Sequence, residues 1–179
     1  MIRSVVSLAL LAFVLAGCFG DSEPKAAQTQ PANSLPTETE AAATCPVTLP
    51  NRSVPADATD WGPSDSHGNG KLWTLLAPYG VVVAPDEWIE KDGSIGIKWP
   101  WWRHVTGRLR IEGRRLDKSG GRLRADIPSA YGGRGFQPTS IYFATEGCWE
   151  VTGKVGETTL TFVTVVVKAS AYALELKTE

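Results

Sequence analysis

Gly147-Cys148-Trp149-Glu150-Val151-Thr152 leads into a polar turn at Lys154-Val155-Gly156-Glu157 and then the apolar run Leu160 to Val167. With a strand period of two, Trp149 and Val151 share one face, and Cys148, Glu150 and Thr152 share the other. If Trp149 and Val151 are buried, Cys148 points away from the main core. The stretch therefore reads as a hairpin whose inner face is aromatic and aliphatic and whose outer face carries a thiol.

Working outward from this hairpin, the chain shows the same pattern of short strands. Leu72 to Leu76 and Val81 to Val83 are apolar runs separated by Pro78-Tyr79-Gly80. Ile95 to Trp99 follows Asp92-Gly93, a strong turn signal. From Val105 to Leu116 the residues alternate, with Leu109 and Ile111 on one side and Arg108, Arg110, Glu112 and Arg114 on the other. Leu123 to Ile127 and Ser140 to Phe143 add further strands, and Glu87 to Glu90 can form a single helical turn. Frequent Pro and Gly, with no long stretch of 3.6-residue period, predict an all-β sandwich or barrel. The Gly-x-aromatic-x-Val strand and its partner resemble the last two strands of an immunoglobulin-like β-sandwich of antiparallel strands. The chain departs from the antibody type in one respect: no second cysteine lies on an early strand with a Trp between. The segments Gly68 to Trp73, Lys98 to Arg103 and Gly147 to Gly153 also resemble exported bacterial proteins, a resemblance that implies no activity.

The N-terminus has a different character. Arg3 precedes an apolar run from Val5 to Val14, shorter than the ~20 residues that span a bilayer. It ends in Leu15-Ala16-Gly17-Cys18, which resembles the bacterial lipobox. That resemblance implies a signal peptide over 1–17 and a lipidated Cys18 as the mature N-terminus. Residues 18–44 are rich in Ala, Thr, Gln, Pro, Ser and Glu, a composition expected to form a disordered tether. A sandwich domain is expected over 45–170 and a tail over 171–179. The expected location is extracytoplasmic, with the membrane as a partner through the lipid. Of the three cysteines, lipid takes Cys18 and leaves Cys45 and Cys148, a pair expected to be bonded in an oxidising compartment. Closing about a hundred residues would stabilise the domain by at most ~4–5 kcal/mol.

The formal net charge of -1 argues against attraction of the whole protein to nucleic acid. Trp99, Trp101 and Trp102 flank Pro100 and are followed by Arg103, Arg108 and Arg110. Indoles stack on sugars and anchor interfaces, and a basic run suits an anionic polymer, so these six residues form the candidate binding site. Alternation places Trp99 and Trp101 on one face and Trp102 on the other, and Pro100 suggests an edge or a bulge. The competing reading makes one or two tryptophans core and the arginines a solvated sheet face. Asp65 to Gly70 echoes the start of a calcium loop. However, His67 and Leu76 stand where oxygen ligands belong, so a polar Asx-type turn is expected and no metal. Tyr131-Gly132-Gly133-Arg134-Gly135-Phe136 reads as a hairpin tip or ligand lid with aromatic ends. There are two histidines, His67 and His104, and no nucleophile elbow. The acidic cluster Asp86, Glu87, Glu90 and Asp92 lies in a turn-rich stretch. No catalytic residue and no cofactor is expected. The expectation is a monomeric, non-enzymatic module that binds an envelope protein, a polysaccharide or an anionic polymer. An envelope hydrolase or a ligand-sensing module is the alternative.

Overall fold

A computed structural model describes residues 45–170. The leader, Cys18, the tether and residues 171–179 lie outside the described residues. Among the described residues nine strands form two sheets: β1 (Ser66–Gly68), β2 (Leu72–Leu75), β3 (Val81–Ala84), β4 (Ile95–Arg103), β5 (Arg110–Arg115), β6 (Arg124–Asp126), β7 (Gly135–Phe143), β8 (Gly147–Val155) and β9 (Thr158–Lys168). One sheet has the order β1-β2-β4-β7-β6 and the other β3-β9-β8-β5. Strands β2, β4, β7 and β6 stand as A-B-E-D of an immunoglobulin-like sandwich, and β9, β8 and β5 stand as G-F-C. The edge strand β3 pairs with β9 in parallel, the exception to the antiparallel pattern. The helical turn expected near Glu87 is the 3-10 turn Asp86–Trp88.

Alternation builds the core. Ile95, Ile97, Trp99 and Trp101 of β4 point inward to meet Trp149, Val151 and Val155 of β8 and Leu160, Phe162 and Val166 of β9. Trp99 stacks on Phe162 with centroids 5.2 Å apart, and its indole N–H donates to Thr74 Oγ1 at 2.8 Å. Trp149 meets Phe143 edge-on at 5.5 Å and donates to the Thr145 carbonyl at 3.0 Å. An aromatic of this kind buries roughly 200 Å², about 5 kcal/mol gross before ordering entropy is subtracted. Gly153 on β8 leaves room for the Trp101 ring, since a Cβ there would come 2.6 Å from its Cη2.

The disulfide joins Cys45 to Cys148 with Cα atoms 5.7 Å apart. As the alternation at Cys148 predicts, it lies outside the main core. Both cysteines pack with Val81 and Val165 in a second cluster on the outer face of the four-stranded sheet, with Val47 and Val163 beside them. Thr48 extends this attachment: its N–H donates to the Val163 carbonyl at 2.9 Å, and its hydroxyl accepts the Val163 N–H at 2.9 Å. The disulfide thus fastens the segment around Cys45 along one sheet and does not join the two.

The expectation of an edge or bulge at Pro100 holds in part. There is no bulge, since Pro100 faces Pro138 in unbroken register, but the β2 ladder covers only Trp101 to Arg103 and leaves Pro100 without a ladder partner on that side of β4. Two prolines can oppose each other where the pair exchanges no hydrogen bonds. The β2 ladder ends at Thr74 opposite Trp101, so it does not need the missing Pro100 donor. The Pro100 carbonyl accepts the Thr74 hydroxyl at 2.8 Å.

Candidate functional site

Strand registers divide the sandwich into two ends. Cys148, at the start of β8, pairs with Val165 near the close of β9, which sets the disulfide end. The β1–β2 turn and the β4–β5, β6–β7 and β8–β9 connections gather at the other, the loop end.

Strand β4 arrives at the loop end with Trp101, Trp102 and Arg103, and its alternation assigns them different tasks. Trp101 is fully buried and Trp99 nearly so, hence neither offers a ring to a surface ligand. Arg103 is 1% exposed. Its Nη1 donates to the Gly107 carbonyl at 2.9 Å, and its Nη2 to the carbonyls of Tyr131 and Gly132, each at 3.1 Å. No carboxylate pairs with it among the described residues, and burial alone pushes its pKa down. Three of the six residues expected at the site are therefore internal. The reason is that odd-numbered positions of β4 face the sandwich interior. Arg103 acts as a staple between the β4–β5 and β6–β7 loops. Gln137, also buried, adds a bond from its amide to the Pro128 carbonyl at 3.0 Å.

Trp102 faces outward and is half-buried. It lies in register with Trp73 on one side and Phe136 on the other. Residues 50–64 fold over Trp73: its indole donates to Ser53 Oγ at 3.1 Å, and Trp61 donates to Ser66 Oγ at 2.7 Å. Asn51 holds this cover by donating to the Gly68 carbonyl at 2.7 Å and accepting the Gly68 N–H at 3.1 Å. Trp61 meets Trp102 edge-on at 6.0 Å. Beyond Trp102 the surface is open. Phe136 and Tyr131 are each 44% exposed and meet edge-on at 6.2 Å, which continues an aromatic row along the loop end.

Polar groups border this row. Asp57 Oδ1 accepts the Trp102 indole N–H at 3.0 Å and lies 2.8 Å from His104 Nε2. Limited desolvation raises the Asp57 pKa, but the bonds from Trp102 and from its own backbone and the His104 charge together leave it below the usual 3.8. The His104 ring stands edge-on to Trp73 at 5.2 Å. The Gly107 N–H donates to the Gly133 carbonyl at 2.9 Å, which joins the loops carrying Arg108 and Arg134, both exposed.

The remaining basic residues belong to other surfaces. Arg110 is exposed on the outer face of the four-stranded sheet opposite Lys154, away from the aromatic row. Arg114 pairs with Glu150 at 2.8 Å, and Lys154 pairs with Glu112 at 2.9 Å. Arg124 lies over the Tyr142 ring at 3.6 Å. The carboxylates near Asp92 are turn components, with Asp92 accepting the Ser94 N–H and hydroxyl. Asn69 forms an Asx-type turn, accepting the N–H groups of Lys71 at 3.1 Å and Leu72 at 2.9 Å. Among the described residues, no group of three or more His, Cys, Asp or Glu is placed to hold a metal, and no helix is long and apolar enough to cross a membrane.

No protein-family model matches the sequence, and no curated protein is similar to it. Among solved structures, the chain is similar to domains 4 and 5 of the S-layer protein SbsC, with a TM-score of 0.33 and 18% identity. The similarity covers 52% of this chain and 44% of that one, a likeness too partial to carry any inference.

Proposed function

We propose that this chain is a lipid-anchored, extracytoplasmic binding module of the cell envelope, without enzymatic activity. In this reading it is held to the membrane through Cys18 and presents its loop end to an envelope component. The observation that carries the reading is the row Trp102, Phe136 and Tyr131 at the end opposite the Cys45–Cys148 attachment. Trp102 and Phe136 stand on the five-stranded sheet and Tyr131 on the 3-10 turn Ser129–Tyr131. Aromatic rings, with few rotatable bonds, bind with little loss of side-chain entropy, and their position leaves them clear of the tethered end. The lipobox supplies the anchor; two or more acyl chains hold a membrane firmly where one is marginal. The Asp57–His104 pair has groups suited to hydrolysis, but among the described residues no hydroxyl or thiol nucleophile bonds to His104. That favours binding over catalysis.

Two measurements test this reading. Cys18→Ser moves the protein from the membrane to the soluble fraction, and unchanged membrane retention refutes the anchor. The full chain captures material from envelope fractions, and Tyr131→Ala with Phe136→Ala abolishes that capture. Equal capture by the double variant refutes the binding face.

A further inference from the structure

The loop end carries unpaired charge as well as aromatic surface. Arg108 follows Gly107 and Arg134 follows Gly133, and the hydrogen bond between those glycines holds the two arginines close together. Both are exposed, and neither pairs with a carboxylate among the described residues. On the far side of Trp102, Lys71 in the β1–β2 turn is also exposed and unpaired, and its carbonyl accepts the His104 N–H at 2.9 Å. The carboxylate nearest the row, Asp57, is already engaged by Trp102 and His104. Elsewhere Arg114, Arg115, Arg124 and Lys154 each have an acidic partner, while Arg110, Lys118 and Arg122 have none among the described residues.

We infer that the loop end binds an anionic polysaccharide, its sugar rings stacked on Trp102, Phe136 and Tyr131 and its carboxylates held by Arg108, Arg134 and Lys71. This rests on the binding role proposed above and names its ligand class. Charge complementarity selects an anion, because the cations around the row have no partner within the domain. The aromatics select a sugar over a bare polyanion, which would need no ring faces. The Cβ atoms of directly opposed residues such as Trp102 and Phe136 lie about 5 Å apart across a strand pair, and the Tyr131 ring lies 6.2 Å from that of Phe136. The row therefore accommodates a short run of consecutive sugars. Arg103 is a positioning residue here: it touches no ligand and fixes the two loops that do.

The test uses the full-length protein in detergent with immobilised polygalacturonate as the probe. Dextran supplies sugar without charge, and polyglutamate supplies charge without sugar. Polygalacturonate is bound, binding weakens with added salt, and dextran and polyglutamate are not retained. Tyr131→Ala with Phe136→Ala, and separately Arg108→Gln with Arg134→Gln, each weaken binding by at least about tenfold, about 1.4 kcal/mol. All four side chains are exposed, and if the aromatic pair fails to fold, the arginine pair alone carries the test. Absence of polygalacturonate binding, retention of dextran or polyglutamate to the same degree, or wild-type binding by the arginine variant each overturns the inference. If envelope capture persists through the aromatic row while polygalacturonate is not bound, the ligand class is wrong and the binding role stands. If capture fails as well, both fall.

Discussion

Replacing Arg103 with methionine separates a buried staple from a surface contact. Methionine keeps a flexible stem of similar shape and removes the guanidinium. In the native domain that guanidinium donates three hydrogen bonds at 2.9, 3.1 and 3.1 Å. Bonds from a charged donor contribute about 1.5–3 kcal/mol each, so the gross loss is roughly 5–9 kcal/mol. Two effects offset most of it. Burying a cation without a carboxylate costs several kcal/mol, which methionine avoids. Tyr131 and Gly132 lie in an exposed loop, so their freed carbonyls can turn to water. The balance is a global loss of about 1–3 kcal/mol, read by urea unfolding. The larger effect is local, because the β4–β5 and β6–β7 loops lose their shared anchor. Trypsin cleavage after Arg134, mapped by mass, reports that opening. It should accelerate by about tenfold or more, since cleavage follows the population of the open loop when closing is fast. Unchanged stability together with unchanged cleavage at Arg134 would refute the staple. A global loss above about 5 kcal/mol would show that the carbonyls stay dry, and the solvent part of the argument would then be wrong.

Two further predictions concern the fold and its response to pH. Replacing both Cys45 and Cys148 by Ser opens a loop with a sequence separation of 103. The chain-entropy estimate of up to ~4.7 kcal/mol corresponds to a fall in Tm of roughly 10–18 °C, and a fall below about 3 °C in thermal unfolding would show that the disulfide contributes little. Burial holds the His67 pKa below its usual 6.5. The folded state then binds fewer protons than the unfolded one. Stability is intact above pH 6.5, declines as pH falls below 6.5, and is fully lost from this source once pH drops through the lowered folded value. An NMR titration of the His67 ring with a midpoint at or above 6.5 would contradict this sign.

Much of the fold was legible because it follows from period two. The inward set Trp149 and Val151, the outward Cys148, the division of Trp99 and Trp101 from Trp102, and the Asp92-Gly93 turn all depend on neighbours in sequence. The errors arose where the partner strand mattered. Pro100 suggested an edge or a bulge because a lone proline removes a ladder bond; the bulge is absent because register sets Pro100 opposite Pro138, at a pair where no such bond is needed. Arg103 suggested a ligand contact because arginine is usually exposed, but its fork found three loop carbonyls. Phe136 and Tyr131 were visible as the aromatic ends of a Gly-rich loop. Their place beside Trp102 depends on the β4–β7 register, which a single sequence does not display. Asp57, Trp61 and His104 had no local signal, since 45 residues separate Asp57 from Trp102.

The two readings of the tryptophan and arginine stretch are not exclusive, because one strand supplies both. Strand β4 buries Trp99, Trp101 and Arg103 and turns out Trp102, so the residues that set the loop end and the ring that faces solvent are fixed by one backbone. A shift of one residue in the β4–β7 register would exchange these faces, leaving Trp102 in the core and the guanidinium of Arg103 in water. Such a shift is resisted by Gly153, which alone leaves room for the Trp101 ring, and by the Trp99 indole bond to Thr74. The outward position of Trp102 therefore follows from how the core is packed, and binding chemistry need not be invoked to explain it. Packing of that inner face, however, does not require Arg108 and Arg134 to remain unpaired, nor Phe136 and Tyr131 to stay open beside Trp102. Those four residues, more than the tryptophans that first draw attention, are where a functional reading stands or falls.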